Sequence, residues 1–303
     1  MTDVGPDPRD VPPVLSPADA SALAARHGLE PVGRRPPFGR YVADVWRHRH
    51  LMWAMAKGEF ASEHRDNYLG FVWAVINPLL LGLAYFLIFG ILLGTSRGID
   101  NFITFLTAGL FTYALLSTAL TSGSKSLLSK MSLILAMQFP RVLPPLVSVL
   151  SAFVSQLPAF VVLLAIALWD QKGQVTWTWL LYPVALLIVV VMGLGIAMLT
   201  ARMVHAVRDL ANLMPLLVRL LRYVSGVFFS IELQLERLGA NDVVAAVLEY
   251  QPAAVALTLV RETIWNPAAP DPVTWAVAGG WALLFFGVGF VVFWRGEGSY
   301  GRA

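Results

Sequence analysis

The chain has 303 residues, of which 57% are hydrophobic and 14% charged, with a formal net charge of +3 and no cysteine. Soluble domains carry about 25% charged residues, so this composition excludes an ordinary soluble globular protein and indicates a membrane protein. The lack of cysteine in the sequence excludes disulfides and thiolate metal sites. The five histidines show no metal-ligand spacing on a common helix face, so no metal site is expected.

Residues 1–37 differ in composition from the rest of the chain. They are rich in proline, show no apolar periodicity and lack the short apolar core of a secretory signal peptide. A flexible cytosolic tail is therefore predicted. One short helix is predicted within it, from Pro17 to His27, because Ser16 is a favourable N-cap and proline fits the first helical position.

Residues 38–66 are predicted to form an amphipathic helix on the membrane surface. Apolar residues recur there at steps of three and four, with basic residues between them. This pattern is typical of an interfacial helix whose tryptophan side enters the membrane while its basic side faces anionic headgroups. Docking onto a soluble partner is the alternative, and the two do not exclude each other. The apolar positions are Val42, Val45, Trp46, Met52, Trp53, Ala56 and Phe60, and the basic ones are Arg40, Arg47, Arg49 and Lys57.

Residues 67–295 are predicted to form a transmembrane domain of six helices, so the fold class is an all-α membrane protein. A helix of about 20 apolar residues crosses the hydrocarbon core of a bilayer. Six runs in this part of the chain carry little or no charge. They cover residues 68–93, 102–121, 142–169, 175–201, 210–231 and 273–294.

The distribution of lysine and arginine predicts that both termini are cytosolic. With the N-terminus inside, sixteen of these residues fall in cytosolic segments and four in outer segments, which leaves Arg219 and Arg222 within the fifth span. Such a positive-inside bias is typical of multi-pass membrane proteins. We therefore expect a multi-pass protein of the inner (plasma) membrane, with a cytosolic C-terminal tail at residues 296–303.

The outer segment at residues 232–271 is predicted to hold a re-entrant helical hairpin that gates the outer face. Its apolar runs at 243–248 and 253–260 are each too short to cross a bilayer. A re-entrant segment must be buried in protein so that its backbone polar groups are satisfied. The charged residues expected to hold this cap together by salt bridges are Glu249, Arg261 and Glu262.

Four motifs occur in an order that is familiar from one family. RDNYLGFVWAVINPLLLGLAYFLIFG leads into the first span, SGSKSLLSKMSLILAMQFPR follows the second, VRDLANLMPLL begins the fifth, and YQPAAVALTLVRETIW lies in the outer hairpin. In these motifs the chain resembles the membrane subunit of a type 2 ABC exporter. The similarity is to the polysaccharide-export class that moves O-antigen or teichoic acid precursors, and the Ala-, Arg- and Pro-rich composition resembles an actinobacterial member that exports lipid-linked galactan. The resemblance covers residues 40–295.

The resemblance implies a half-transporter in which two copies of this chain, a homodimer, work with two copies of a separate ATP-binding ABC subunit. The sequence contains no Gly-x-x-x-x-Gly-Lys-Ser/Thr phosphate loop. ATP and Mg²⁺ are therefore expected on the partner subunit, with no cofactor and no enzymatic reaction on this chain. No nucleic-acid partner is expected.

Force from the partner ATPase is expected to reach this chain through residues 122–141. Ser122, Ser124 or Ser126 is predicted to cap a short helix that runs to about Phe139 and enters a groove of the ATPase. An ordinary connecting loop is the alternative interpretation. The residues predicted to couple the two subunits are Ser124, Lys125, Lys130, Gln138 and Arg141.

Arg219 and Arg222 are the most specific candidates for substrate contact. They lie three residues apart, and therefore on one helix face, within the fifth span. In this pair the chain departs from the family that it resembles, in which the corresponding span is mostly apolar. An arginine near the bilayer centre costs about 2.5–3.5 kcal/mol on insertion scales, so both are expected to face a cavity, a partner subunit or acidic groups. The functional hypothesis is that they meet the diphosphate of a lipid-linked glycan, because a guanidinium matches phosphate oxygens bidentately. Structural pairing and snorkelling to the inner interface are the alternatives.

Aromatic residues are predicted to line the channel, since sugar C–H faces stack on rings. The candidates are Tyr85 and Phe89, which lie four residues apart within the first span, and Tyr223 in the fifth. The alternative is that these rings pack in the core or at the membrane interface.

The Asn77-Pro78 step is predicted to kink the first span, because proline removes one helix hydrogen bond. A merely tolerated proline is the alternative.

Together these features predict ATP-driven export of a lipid-linked, diphosphate-bearing polysaccharide of the cell envelope, most similar to a galactan, from the cytosol to the outer face of the membrane. A type 2 ABC exporter of a small molecule or drug is the alternative. A membrane-embedded transferase is the third possibility, but the sequence shows no clustered carboxylates for a metal and no catalytic residues are predicted.

Overall fold

The computed structural model describes residues 16–27, 36–65, 72–94, 98–136, 139–239, 241–264 and 270–297. Within these ranges all regular structure is helical, which confirms the predicted all-α class. The helices are α1 (Pro17–Arg26), α2 (Phe38–Arg47), α3 (Arg49–Arg65), α4 (Trp73–Tyr85), α5 (Phe102–Thr118), α6 (Ser124–Ser129), α7 (Met131–Ala136), α8 (Leu143–Asp170), α9 (Tyr182–Ala206), α10 (Leu210–Val224), α11 (Ile231–Leu238), α12 (Asp242–Glu249), α13 (Pro252–Ile264) and α14 (Pro272–Gly296).

Three helices, α1, α2 and α3, precede α4. The predicted cap of α1 is confirmed, because Ser16 Oγ accepts the backbone N–H of Asp19 at 3.2 Å. The predicted surface arm is two helices, α2 and α3, separated by a turn at His48. α3 packs along α8, and its position relative to a membrane stays a prediction.

Five helical stretches are long and apolar enough to cross a membrane, in agreement with five of the six predicted spans. π-Helical segments extend two of them, at Phe86–Leu92 after α4 and at Ala119–Gly123 between α5 and α6. A short 3-10 helix precedes α9. The five stretches are Trp73–Leu92, Phe102–Ser129, Leu143–Asp170, Trp177–Ala206 and Pro272–Gly296.

The fifth predicted span, at residues 210–231, is longer than the helix that the structure has there. α10 has only 15 residues, or about 22 Å at 1.5 Å per residue, which is shorter than the roughly 30 Å hydrocarbon core. The chain turns after Val224 instead of continuing to Ile231. Gly226 has φ +70°, a left-handed conformation that glycine adopts without steric cost.

The predicted outer hairpin corresponds to α12 and α13, which meet at a bend of 71°. Taken together, these two helices are long and apolar enough to form a sixth span. α13 is largely buried and packs against α5, α9 and α14. Its insertion into a membrane as a re-entrant element stays a prediction.

The long helices define two ends of the bundle. At one, called here the hairpin end, Thr104 Oγ1 donates a hydrogen bond of 2.7 Å to Asp170 Oδ2. At the other, the tail end, the N-H of Arg141 donates to Glu297 Oε1 at 3.1 Å. α2 also lies at the tail end, through the hydrogen bond from Tyr41 to Glu297.

Candidate functional site

An aromatic cluster forms where the end of the first long helix meets the turn after α10. Phe89 and Phe228 stack with ring centroids 4.2 Å apart and planes within 4° of each other. Tyr85 lies 5.1 Å from Phe228 and 6.0 Å from Phe89, and Tyr223 lies 5.7 Å from Phe228. Three of the predicted channel residues therefore share one cluster, which the turn at 225–230 completes with Phe228.

Arg222 enters the same cluster from the last turn of α10. Its Nη1 donates to Tyr85 Oη at 3.4 Å, and its Cζ lies 5.5 Å from the ring centroid of Tyr113. The C-terminal turn of a helix and the faces of aromatic rings both favour a cation. Within the described residues the buried Nε of Arg222 has no hydrogen-bond partner and no carboxylate forms a salt bridge with this guanidinium. The cluster therefore holds a positive charge with unused donors.

Arg219 is placed differently from Arg222. A separation of three residues turns the helix by about 300°, so the two side chains point about 60° apart. Arg222 is half-buried in the cluster, whereas Arg219 is exposed on the outer face of α10 beside exposed leucines. The structure therefore brings Arg222 to the aromatic residues and leaves Arg219 exposed and outside the cluster.

The Asn77-Pro78 step lies inside α4, and the helix continues through it. Asn77 is exposed, and both residues line an open groove between α4, α5 and α8. Proline has no N–H to donate. Whether this step bends the helix for a functional purpose stays a prediction.

The segment predicted to couple to an ATPase is more regular than expected. The polar run at 122–126 does not begin a new helix, because the helix continues from α5 through the π segment into α6. Ser124 Oγ donates to the carbonyl of Thr121 and Ser126 Oγ to that of Gly123. Such bonds to the preceding turn let serine sit inside a helix, so the predicted serine cap is wrong.

Three of the other predicted coupling residues lie around the tail end, namely Lys125, Lys130 and Arg141. Lys125 is exposed, and Lys130 forms an ion pair with Glu59 of α3. Gln138 lies outside the described residues. Arg141 Nη1 donates to the backbone carbonyl of Glu297 at 2.9 Å.

Glu297 ties three distant segments together at this end. Its carboxylate accepts hydrogen bonds from Tyr41 Oη at 2.9 Å and from the backbone of Arg141, and burial raises the pKa of this carboxyl. One helical turn earlier, Trp294 Nε1 donates to the carbonyl of Pro36 at 2.9 Å. The end of α14 therefore fixes both the surface arm and the start of α8.

Comparison with known proteins identifies the family. Residues 50–237 match the model of the family described as the ABC-2 type transporter. The chain belongs to this family. ABC-2 membrane proteins work with an ATP-binding ABC subunit, and this chain is the membrane permease, with several helices long and apolar enough to span a membrane.

The curated relatives of this ABC-2 transporter carry a more specific name. The chain is 29% identical over 236 residues to the O-antigen export system permease protein RfbA of Myxococcus xanthus, covering 77% of this chain and 86% of that protein. Two proteins of the same name from Klebsiella pneumoniae are 23% and 22% identical over 219 residues, covering 71% of this chain and 80% of each relative.

The contacts that Arg261 makes in this ABC-2 transporter were not predicted from the sequence. Arg261 is buried in α13 and donates to the carbonyls of Phe105, Gly226 and Val227 at 3.0–3.2 Å, with its Cζ 3.5 Å from the ring centroid of Phe105. The expected salt bridges to Glu249 and Glu262 do not form within the described residues. The sequence offers no signal for this arrangement, because the acceptors are backbone atoms.

Proposed function

We propose that this chain is the transmembrane subunit of an ATP-driven exporter that moves a lipid-linked, diphosphate-bearing cell-envelope polysaccharide from the cytosol to the outer face of the inner membrane. A galactan-like glycan of actinobacterial type is the form that the composition favours. The observation that carries the proposal is Arg222 within the aromatic cluster. The names of the relatives, all O-antigen export permeases, support the same substrate class.

The chemistry of the cluster suits a sugar diphosphate. The rings of Tyr85, Phe89 and Tyr223 offer flat surfaces on which apolar sugar faces stack, and the tyrosine hydroxyls offer hydrogen bonds. The Arg222 guanidinium has a buried Nε without a partner among the described residues. A planar guanidinium binds phosphate oxygens bidentately, and no described carboxylate forms a salt bridge with the half-buried Arg222, so an anionic ligand would supply the missing counter-charge.

The complete transporter contains two copies of this chain and two copies of the ATP-binding subunit, which holds ATP and Mg²⁺. The tail end faces the cytosol, with both termini inside, and α6 and α7 contact the ATPase through Lys125 and its neighbours. The exposed faces of α4 and α10, with Arg219, face the second copy and enclose the passage. The bent pair of α12 and α13 gates its outer end.

Depletion of the protein tests the substrate and the direction of transport. We expect a lipid-linked glycan to accumulate on the cytosolic face of the membrane, measured by its accessibility to a glycosidase in intact and in opened cells. An unchanged distribution of envelope glycans would contradict the proposal and would favour export of a small molecule.

Replacement of Arg222 tests the role of the cluster. Arg222→Gln should lower glycan export about tenfold or more, because a hydrogen bond to a charged group contributes about 1.5–3 kcal/mol and 1.4 kcal/mol is a factor of ten. Arg26→Gln, at an exposed position of α1, is the control and should export normally. Normal export by an assembled Arg222→Gln complex would reject the phosphate role.

A further inference from the structure

A stripe of polar side chains runs along the first half of the otherwise apolar helix α8. Ser148, Ser151 and Ser155 recur at steps of three and four and therefore lie on one face, with Gln156 beside them. Ser148 is 9% exposed and Ser151 5% exposed. Polar groups buried in this way are normally hydrogen-bonded, so their partners are informative.

The stripe faces a crevice of about 310 Å³ between α8, α3 and the helix formed by α5 and its π segment. Glu59 and Ser62 line it from α3, and Thr118 and Ser122 line it from the opposite side. Among the described residues that form its wall, Ala152 is the only apolar one. Serines also allow helices to pack closely, and α3 and α5 do pack against α8, but these serines border an open crevice within that packing.

Several of these side chains have no partner within the described part of the chain. Ser122, Ser148, Ser151 and Gln156 make no hydrogen bond there, although they border the crevice. Thr118 donates its hydroxyl proton to the carbonyl of Ala114 and so presents only acceptor lone pairs to the crevice. The crevice therefore offers both donors and acceptors to a ligand.

The charges around the crevice favour an uncharged ligand. No lysine or arginine is found among the described residues that line it. Lys130 lies next to it but is paired with Glu59. A phosphate would meet no free cation here, in contrast to the Arg222 cluster, whereas the hydroxyls of a neutral sugar match the side chains present.

An apolar groove continues from the crevice. This second cavity, of about 620 Å³, runs between α4, α5 and α8, and Ser155 and Gln156 line both spaces. Beyond them its wall includes Leu80, Leu81 and Phe111. A polar chamber that opens into an apolar groove suits a molecule with a hydroxylated head and a hydrocarbon chain.

We propose that the crevice and groove together bind a neutral glycolipid, with its sugar in the crevice and a hydrocarbon chain in the groove. This site is separate from the Arg222 cluster, and its occupation does not depend on transport of a diphosphate-linked glycan. It therefore goes beyond the proposed export function.

Photocrosslinking in lipid nanodiscs tests the proposal. Monogalactosyl diacylglycerol with a diazirine in one acyl chain is incorporated into phosphatidylcholine nanodiscs that hold the full chain. Diacylglycerol and phosphatidic acid with the same diazirine chain are the comparison probes. We expect the galactolipid to label α4 or α8 most strongly, and excess soluble galactose not to prevent the labelling.

Removal of the unpaired hydroxyls should weaken this labelling. Ser148→Ala with Ser151→Ala should lower galactolipid labelling about tenfold, because the loss of two ordinary hydrogen bonds corresponds to such a factor. Ser117→Ala with Thr200→Ala is the matched control, since both of these hydroxyls bond to their own helices outside the crevice. If the serine variant is poorly folded, Ala152→Leu fills the same crevice and should also reduce labelling.

Three outcomes would overturn the proposal. Equal labelling by diacylglycerol would reduce the site to an apolar groove, and full competition by galactose would remove the role of the lipid chain. Undiminished labelling in folded variants would show that the crevice does not hold the sugar. Because crosslinking measures binding alone, any of these results with normal glycan export refutes the glycolipid site and leaves the export function intact.

Discussion

Arg261 joins three separate elements of this ABC-2 transporter. Its guanidinium connects α13 to a carbonyl of α5 and to two carbonyls of the turn after α10. Gly109 makes room for it, because a Cβ at that position would lie 2.4 Å from Arg261 Nη2. The turn that supplies Phe228 to the aromatic cluster is thus fixed by an arginine outside the cluster.

Arg261→Met is expected to destabilise the fold. The substitution leaves three buried carbonyls without their donor, and one unsatisfied buried group alone costs about 1–3 kcal/mol. Thermal unfolding of the purified protein in detergent should therefore shift to lower temperature. Arg219→Met, which removes an exposed arginine, is the control, and equal unfolding temperatures for the two variants would contradict this role.

At the residue scale, the sequence predicts which side chains meet when their spacing along a helix decides it. It does not predict contacts that depend on backbone atoms of another segment. Tyr85 and Phe89 were predicted together because they lie four apart, and they do meet in the structure. Phe228 joins them only because the chain turns after α10, and no pattern of residues in the sequence predicts that turn. The roles of these residues stay predictions.

At the scale of elements, the backbones of α9 and α14 approach each other closely. A Cβ built on Gly195 would lie 2.3 Å from backbone atoms of Phe285 and Phe286, and one on Gly289 would lie 2.7 Å from the carbonyl oxygen of Gly195. These two glycines therefore let the helix backbones approach each other, as small residues do in membrane proteins. Gly279, Gly280 and Gly287 of α14 have no such neighbours within 4 Å.

Gly195→Ala is expected to separate α9 from α14 and to lower the unfolding temperature, because the added methyl group would overlap the backbone of α14. The matched control is Gly287→Ala, which adds the same methyl group in open space. The control should be neutral or slightly stabilising, since alanine favours a helix over glycine by about 1 kcal/mol. Similar unfolding curves for both variants would disprove the close contact.

Five of the six spans predicted from apolar runs agree with long helices of the structure, because length and hydropathy alone define such elements. The helix boundaries that were predicted wrongly depend on tertiary contacts or on local hydrogen bonding. α10 ends early at a glycine turn fixed by Arg261, and the polar run at 122–126 stays helical because its serines bond to the preceding turn. Neither effect is visible in a hydropathy pattern.

At the scale of the whole molecule, the faces of α4 and α10 remain largely uncovered by the rest of the chain. Leu79 and Leu83 of α4 are 44% and 54% exposed, and Leu220 of α10 is 57% exposed. In a bilayer such faces contact lipid or another helix. The proposed homodimer assigns them to a second copy of the chain.

Single cysteines test this assignment, and the absence of native cysteine makes the experiment clean. Leu220→Cys should form a disulfide-linked dimer when membranes are oxidised, detected by non-reducing electrophoresis. Leu283→Cys, on the exposed face of α14, is the control and should stay monomeric. Dimers from the control alone would place the second copy on a different side of the bundle.

The π segment between α5 and α6 changes the side of this long helix on which the later residues lie. A π turn accommodates one residue more than the α repeat, and one residue corresponds to about 100° of rotation about the axis. A helical wheel drawn without interruption over Phe102–Ser129 therefore assigns Lys125 to the wrong side. Deleting one residue from Ala119–Gly123 would restore the regular α repeat and leave Lys125 on the side that it occupies now, whereas a deletion elsewhere in the helix would turn it by about 100°.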